Sequence, residues 1–293
     1  MNSSSTLDLR NVTLCAADSI HPALAARALE ISAAQCHFAD AILFTHEVVP
    51  TFARIVPIPR LQSKGDDSAF MVKHLVNHVT TPWVLVVQWD GYVLDAATWS
   101  DAFLGYDYIG ASWPFHRDSM NVGNGGFSLR SVKLLHALAD TRLQLLPGAY
   151  EDDLICRLYR PLLETEYGIR FAPADVANRF AYERGCPDSP TFGFHGAFNL
   201  WRHVEDDTMM DIISALDIRT LTSIEIMQLL IAYCELRKFG CVKVMYQRYR
   251  RIWSAQQFAQ NMVASGVPRE AVLQCVEICE NVVKSNDRAG FCG

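Results

Sequence analysis

Through the first half of the chain, short β-branched runs alternate with longer stretches whose apolar positions recur at helical spacing. The runs at residues 12–16, 41–44, 54–58 and 84–87 predict strands. The stretches at 22–35 and 67–79 predict helices, the second with Asp66 or Asp67 near its N-cap. Alternation of this kind predicts an α/β fold, a mostly parallel central sheet with helices on both faces. The run at 84–87 is apolar at four consecutive positions, as in a strand buried on both sides. It then stops at Gln88-Trp89-Asp90-Gly91. A carboxylate there has a use if it faces the crevice at the carboxyl ends of the strands, where open α/β sheets bind ligands.

The middle of the chain is richer in glycine and aromatic residues, notably at 106–114 and 121–131. Helices are predicted at 132–139 and 151–159, a late strand at 168–173, and a compact aromatic stretch, TFGFHGAFN, at 191–199. From about residue 204 helical periodicity takes over, in DIISALD, IEIMQLLIAYCELRKF and REAVLQCVEICENVV. The expected organisation is an α/β unit over residues 1–203 and an all-α extension over 204–293. That extension is a candidate for packing on the first unit, for homo-oligomer formation, or for peripheral membrane contact.

Charge narrows the partners. A net charge of −6 and a pI near 5.8 argue against a general nucleic-acid binder. One local basic cluster, Arg248, Arg250 and Arg251, reads as a solvated helix face or a membrane contact. The nine cysteines are scattered and contain no CxxC pair. Cys275 and Cys279 share a helical face, but no second pair of zinc-like spacing accompanies them, so reduced thiols are expected. The opening residues lack a secretory core, and no apolar run is long enough to span a bilayer. The expected location is the cytoplasm, including the inner face of its membrane.

Four clusters are candidates for chemistry. Asp90 alone reads as readily as a turn former, since Asp-Gly is a hairpin dipeptide. Gly123-Asn124-Gly125-Gly126 allows close backbone approach to a ligand or a tight turn. It is neither a dinucleotide fingerprint nor a Walker loop. Glu151-Asp152-Asp153 suits a helix start, yet three acids in a row place a carboxylate toward a cleft, where it can take a proton from a hydroxyl. His195, in an apolar stretch, reads as a buried histidine or as a partner of Asp90 in a Mn²⁺ or Mg²⁺ site. His74 and His78 are a helical turn apart but lack the Glu of a zinc motif. Together the parts suit metal-assisted transfer from a diphosphate-activated donor.

The succession QWDG, YDYIGASWP, VGNGGFSLRS, EDD and FGFHG resembles a family of GT-A-type glycosyltransferase-like domains catalogued as a domain of unknown function. The resemblance spans roughly residues 10 to 200 and leaves out the helical tail. It implies a GT-A-like αβα sandwich that binds a nucleotide sugar, with a metal held by a DxD motif at a strand end. Here Gln88-Trp89-Asp90 stands in that place, with glutamine for the first acid. Asp90 is then the metal ligand and Gln88 a donor contact. The glycine-rich and EDD segments are also similar to parts of the inverting β-1,4-galactosyltransferases and β-1,3-glycosyltransferases. That similarity implies Asp152 as catalytic base, Glu151 and Asp153 as orienting acids, and His195 as a second metal ligand.

By the same resemblance, Gly125 and Gly126 are expected on the donor side, and Asn124 and Asp153 on the acceptor side. Trp113 is a candidate to stack on a sugar ring, or a core residue. Asp18 and Lys64, near the ends of early strands, are candidate nucleotide contacts. The implied reaction is a single displacement at the anomeric carbon, moving a sugar from a UDP-linked donor to a hydroxyl of a glycan or glycolipid, such as a bacterial surface polysaccharide or lipopolysaccharide. Competing readings are a nucleotidyltransferase, a metal-dependent phosphoesterase, and a non-catalytic nucleotide-sugar-binding module.

Overall fold

The structure is a computed structural model that describes residues 6–289. It divides into two compact units, the first ending at His195 and the second beginning at Gly196.

The first unit is built on strands β1 (Leu7–Ala17), β2 (Cys36–Thr45), β3 (Arg54–Pro57), β4 (Trp83–Val86), β5 (Tyr108–Ile109) and β6 (Ser128–Ser131). They form one sheet in the order β3-β2-β1-β4-β6-β5. Strands β1 to β4 pair in parallel, while β6 runs antiparallel to both β4 and β5. β1 lies at the centre, and residues 12–16 are buried at every position, as a strand covered on both faces requires. Helix α1 (Pro22–Ala33) makes the crossover from β1 to β2, and its Ala25, Ala26, Ala28 and Leu29 are buried. Cys15, Ile42, Phe44, Val84 and Val86 pack with Phe70, Met71, Leu75 and Leu135. By strand period, Leu14, Leu43 and Leu85 point to the other side. This is the mostly parallel α/β architecture that the strand–helix alternation predicts.

The order in which the strands are laid down creates a switch point. From β1 the chain moves to β2 on one side, and later returns to place β4 on the other. Between β1 and β4 this leaves a crevice at their carboxyl ends.

The helix expected at 67–79 begins earlier and is irregular. Helix α2 (Lys64–Ala69) starts at N-cap Ser63, with Asp66 closing a reciprocal capping box. The chain then widens into a π turn, Phe70–His74, and tightens into a 3₁₀ turn, Leu75–Asn77. His74 and His78 both lie against Phe70, with ring centroids 6.4 and 6.3 Å away. Helix α3 (Val132–Ala139) is capped by Ser131. Helix α4 (Glu151–Asp153) also widens, into the π turn Leu154–Leu158, before α5 (Arg160–Glu166). The stretch expected as a late strand meets β5 at one bridge, between Tyr108 and Phe171. β5 is only two residues long, so it has little edge to offer. Helix α6 (Ala174–Phe180) leads into a separate small parallel sheet of β7 (Ala181–Tyr182) and β8 (Gly193–Phe194).

The second unit is helical. After a 3₁₀ turn, Ala197–Arg202, come α7 (Asp206–Ala215), α8 (Ile218–Leu221), α9 (Ile224–Glu235), α10 (Phe239–Arg250), α11 (Ala255–Ala264) and α12 (Arg269–Ala289). Tyr233, Tyr246, Tyr249 and Phe258 supply its largest fully buried side chains. The basic cluster is partly engaged: Arg248 donates to the Ile213 carbonyl, and Arg250 lies 4.0 Å from Glu280. Among the described residues, no helix is long and apolar enough to cross a membrane.

Candidate functional site

β4 delivers Gln88-Trp89-Asp90-Gly91 to the switch point. The Val87 amide still donates to Cys15 at 2.9 Å, which keeps β4 against β1 up to the turn. Gln88 and Gly91 then exchange both backbone hydrogen bonds, each 3.0 Å, so the four residues close into a tight turn. The turn-forming reading of Asp-Gly is what the structure shows, and the same turn brings Asp90 beside His195. Its carboxylate is 11% exposed.

His195 reaches the same spot by a different route. Val93 and Leu94, just past the turn, pair with Gly193 and Phe192, and the His195 amide donates to Tyr182. Tyr182 is opposite Phe194 in the register of β7 and β8, so the residues that follow the two strands, Glu183 and His195, face one another. Their side chains meet at 3.2 Å, Nδ1 to Oε1. His195 Nε2 points the other way, 3.1 Å from Gln88 Oε1 and 3.6 Å from Asp90 Oδ1. Asn124 Nδ2 lies 2.9 Å from Nδ1. Burial alone would drive the imidazole toward neutrality, but Asp90, Glu183 and Asp152 outweigh it and raise its pKa to about 9. Glu183 is correspondingly held low: burial opposes ionisation, and the bond and charge of His195 overcome it.

The glycine loop is packing made for this site. Asn124 sits at φ 65°, in the left-handed region, and its Oδ1 accepts from the Phe127 amide. A Cβ on Gly126 would lie 2.1 Å from His195 Nε2 and 2.8 Å from Gln88 Oε1. A Cβ on Gly125 would lie 1.8 Å from Glu151 Oε1. The two glycines thus let one layer of backbone separate the histidine from the acids of α4.

Beyond that layer, Glu151 is locked. Both its oxygens accept from Arg130, Nη1 to Oε2 and Nη2 to Oε1 at 2.7 Å each. Arg130 is fully buried, and it also donates to the Gly125 carbonyl and the Ser128 hydroxyl. Asp152 is the freer acid. One of its oxygens accepts from Asp153 N at 2.9 Å and the other from Gly125 N at 3.4 Å. Burial, then the charges of Glu151 and Asp153, raise its pKa to about 6. Asp153 is exposed.

The remaining candidates lie farther out. Asp18 follows β1, and its Oδ1 accepts from the Ile20 and His21 amides at 2.6 Å, at the head of α1. His21 packs edge-on to Trp89, bringing that helix end beside the turn. Trp113 is 5% exposed and belongs to a core cluster with Tyr108, Leu134 and Ile155. Lys64 opens α2, but its side chain lies outside the described residues.

Two site residues were missed from sequence. Glu183, in AYERG, carries no local signal, because β7 pairing to β8 creates its role. Arg130 did leave one. In Phe127-Ser128-Leu129-Arg130, alternation puts Phe127 and Leu129 on one face and a cation on the other, and a buried cation needs an acid.

Asp90, Gln88 and His195 are the side chains here that could hold a divalent cation. Adjacent ligands of an octahedral ion lie about 3 Å apart, close to the 3.1 Å from Nε2 to Gln88 Oε1. Asp90 needs a movement of about half an ångström to match. Glu183 behind Nδ1 supplies the carboxylate that commonly orients a metal-bound histidine.

Residues 54–195 match a family described as "Protein of unknown function (DUF5672)". No curated protein matches the chain significantly. Among solved structures, the galactosyltransferase LgtC in complex with donor and acceptor sugar analogs aligns with a TM-score of 0.40 at 12% identity, covering 62% of this chain and 86% of that one.

Proposed function

We propose that the first unit is a glycosyltransferase that moves a sugar from a UDP-linked donor to a hydroxyl of a glycan or glycolipid, with inversion. The observation that carries this reading is the pairing of two unlike centres across one backbone layer. One is an N and O ligand set backed by Glu183; the other is a carboxyl tuned to about 6. The order of the QWDG, GNGGFSLRS, EDD and FGFHG segments supports it.

Asp90, His195 and Gln88 would hold Mn²⁺ or Mg²⁺. Bound there, the ion supplies Lewis-acid stabilisation of the charge that grows on the departing diphosphate. The chain's own residues do the rest. Asp152, ionised at neutral pH but more basic than an ordinary carboxylate, takes the acceptor hydroxyl's proton. The acceptor oxygen bonds to the anomeric carbon as that carbon's bond to the diphosphate oxygen breaks. Arg130 fixes Glu151, and the Gly125 amide fixes Asp152, so the base is held in place when the acceptor arrives. Gly126 lets the backbone pack against His195 Nε2 and Gln88 with no side chain between.

Calorimetric titration with UDP, with and without Mn²⁺, on wild type and Asp90→Ala tests the donor side. Metal-dependent binding that the variant loses supports the reading, and absence of binding in the wild type overturns it. Release of pyrophosphate in place of UDP during turnover assigns a nucleotidyltransferase instead.

A further inference from the structure

The helical unit holds a second cluster of ligand-type side chains, unrelated to sugar transfer. Cys275 and Cys279 lie one turn apart on α12, so both thiols leave the same face. Cys234, near the end of α9, meets them there. The sulfurs are 3.7 Å apart for Cys234 to Cys275, and 4.0 Å for each of the other two pairs. All three residues are buried, at 4%, 2% and 0% exposure. Among the described residues, these three form the group whose ligand atoms lie close enough to share an ion.

The spacing matches a metal site. A point equidistant from three sulfurs so placed lies about 2.3 Å from each, the ordinary metal–thiolate bond length. A disulfide would instead require two sulfurs to close to about 2.05 Å. We propose that Cys234, Cys275 and Cys279 bind one thiophilic metal ion, zinc(II) or copper(I), that ties α12 to α9. Soft thiolates select such ions over the hard cations suited to the oxygen-rich cluster of the first unit. On binding, each thiol loses its proton to solvent and its sulfur forms one bond to the ion, with no change of oxidation state. Copper(I) is satisfied by three thiolates in a plane. Zinc(II) takes a fourth ligand as well, here a water or another protein group.

Cobalt(II) substitution of the full-length chain under reducing conditions tests this without a variant. The expected result is one thiolate-bound equivalent, read by the near-ultraviolet thiolate-to-cobalt charge-transfer band and present in Asp90→Ala as in wild type. Native mass spectrometry after reconstitution with zinc(II), and separately with copper(I), shows which is retained through gel filtration. Cys234→Ser, Cys275→Ser and Cys279→Ser should each lose the ion, while Cys186→Ser, at an exposed thiol, keeps it. Absence of the charge-transfer band in the wild type overturns the proposal. So does a two-dalton mass loss that marks a Cys234 to Cys275 disulfide. A charge-transfer band unchanged in all three serine variants overturns it too.

Discussion

Glu183 and His195 are twelve residues apart in sequence, and their side chains meet at 3.2 Å because two strands of two residues each run in parallel register. The contact fixes which imidazole nitrogen faces Asp90. Glu183 is thus a positioning residue, acting through His195. Glu183→Gln should lower Mn²⁺ affinity by about 10- to 100-fold. The pH dependence separates this role from simple packing. With His195 near 9, a metal must displace a proton, so wild-type affinity should rise about tenfold per pH unit below that value. The Gln variant removes a carboxylate that holds the proton, and its slope should flatten. Titrations from pH 6 to 8.5 read both.

Asp152 makes a prediction of opposite sign for activity and stability. Its folded-state pKa, about 6, lies above the unfolded value, so the folded protein binds the proton more tightly. Stability from this group is therefore greatest at low pH, falls as pH rises to about 6, and stays reduced above it. Asp152→Asn should stabilise the chain at pH 7 by about 1–3 kcal/mol. Transfer should fall by about 10²–10⁴-fold. The wild-type acidic limb of kcat/KM should titrate near 6. Thermal melts and initial rates across pH 4.5–8 measure both, and a variant with intact turnover removes Asp152 from the chemistry.

Gly126→Ala places a methyl where His195 Nε2 and Gln88 Oε1 now lie. Donor and metal binding should drop severely in that variant. Gly105→Ala, which meets nothing within 4 Å, should behave as wild type. Equal UDP binding by the two variants would show that His195 and Gln88 do not hold the donor side.

Arg130 and Glu151 should behave as one unit. Glu151→Ala strands a fully buried guanidinium, and a loss of about 3–5 kcal/mol is expected in denaturant melts. Replacing both, as Arg130→Met with Glu151→Leu, should recover much of that stability. A double-mutant cycle without coupling would contradict the pairing.

How legible the fold and the site were depended on sequence distance. The sheet, its buried central strands and the turn at Asp90 could be read from runs of a few residues, where pattern and local chemistry coincide. The widening at Phe70–His74 and Leu154–Leu158 could not, because hydrophobic spacing does not separate α from π geometry over five residues. Glu183 was invisible for a related reason: its meaning arises only once β7 and β8 pair. Arg130 stood in plain view inside an alternating strand, and its acid partner lay 21 residues away in the EDD segment.

The loop at residues 123–126 acts as a spacer one peptide thick, with an imidazole against one side and Glu151 and Asp152 against the other. In the proposed reaction, the interval between leaving group and base would then be set by main chain rather than by any side chain's length. Under that proposal, acceptor preference would drift through changes around Asp153 while the donor half kept its calibration, as a tool changes its bit and not its chuck.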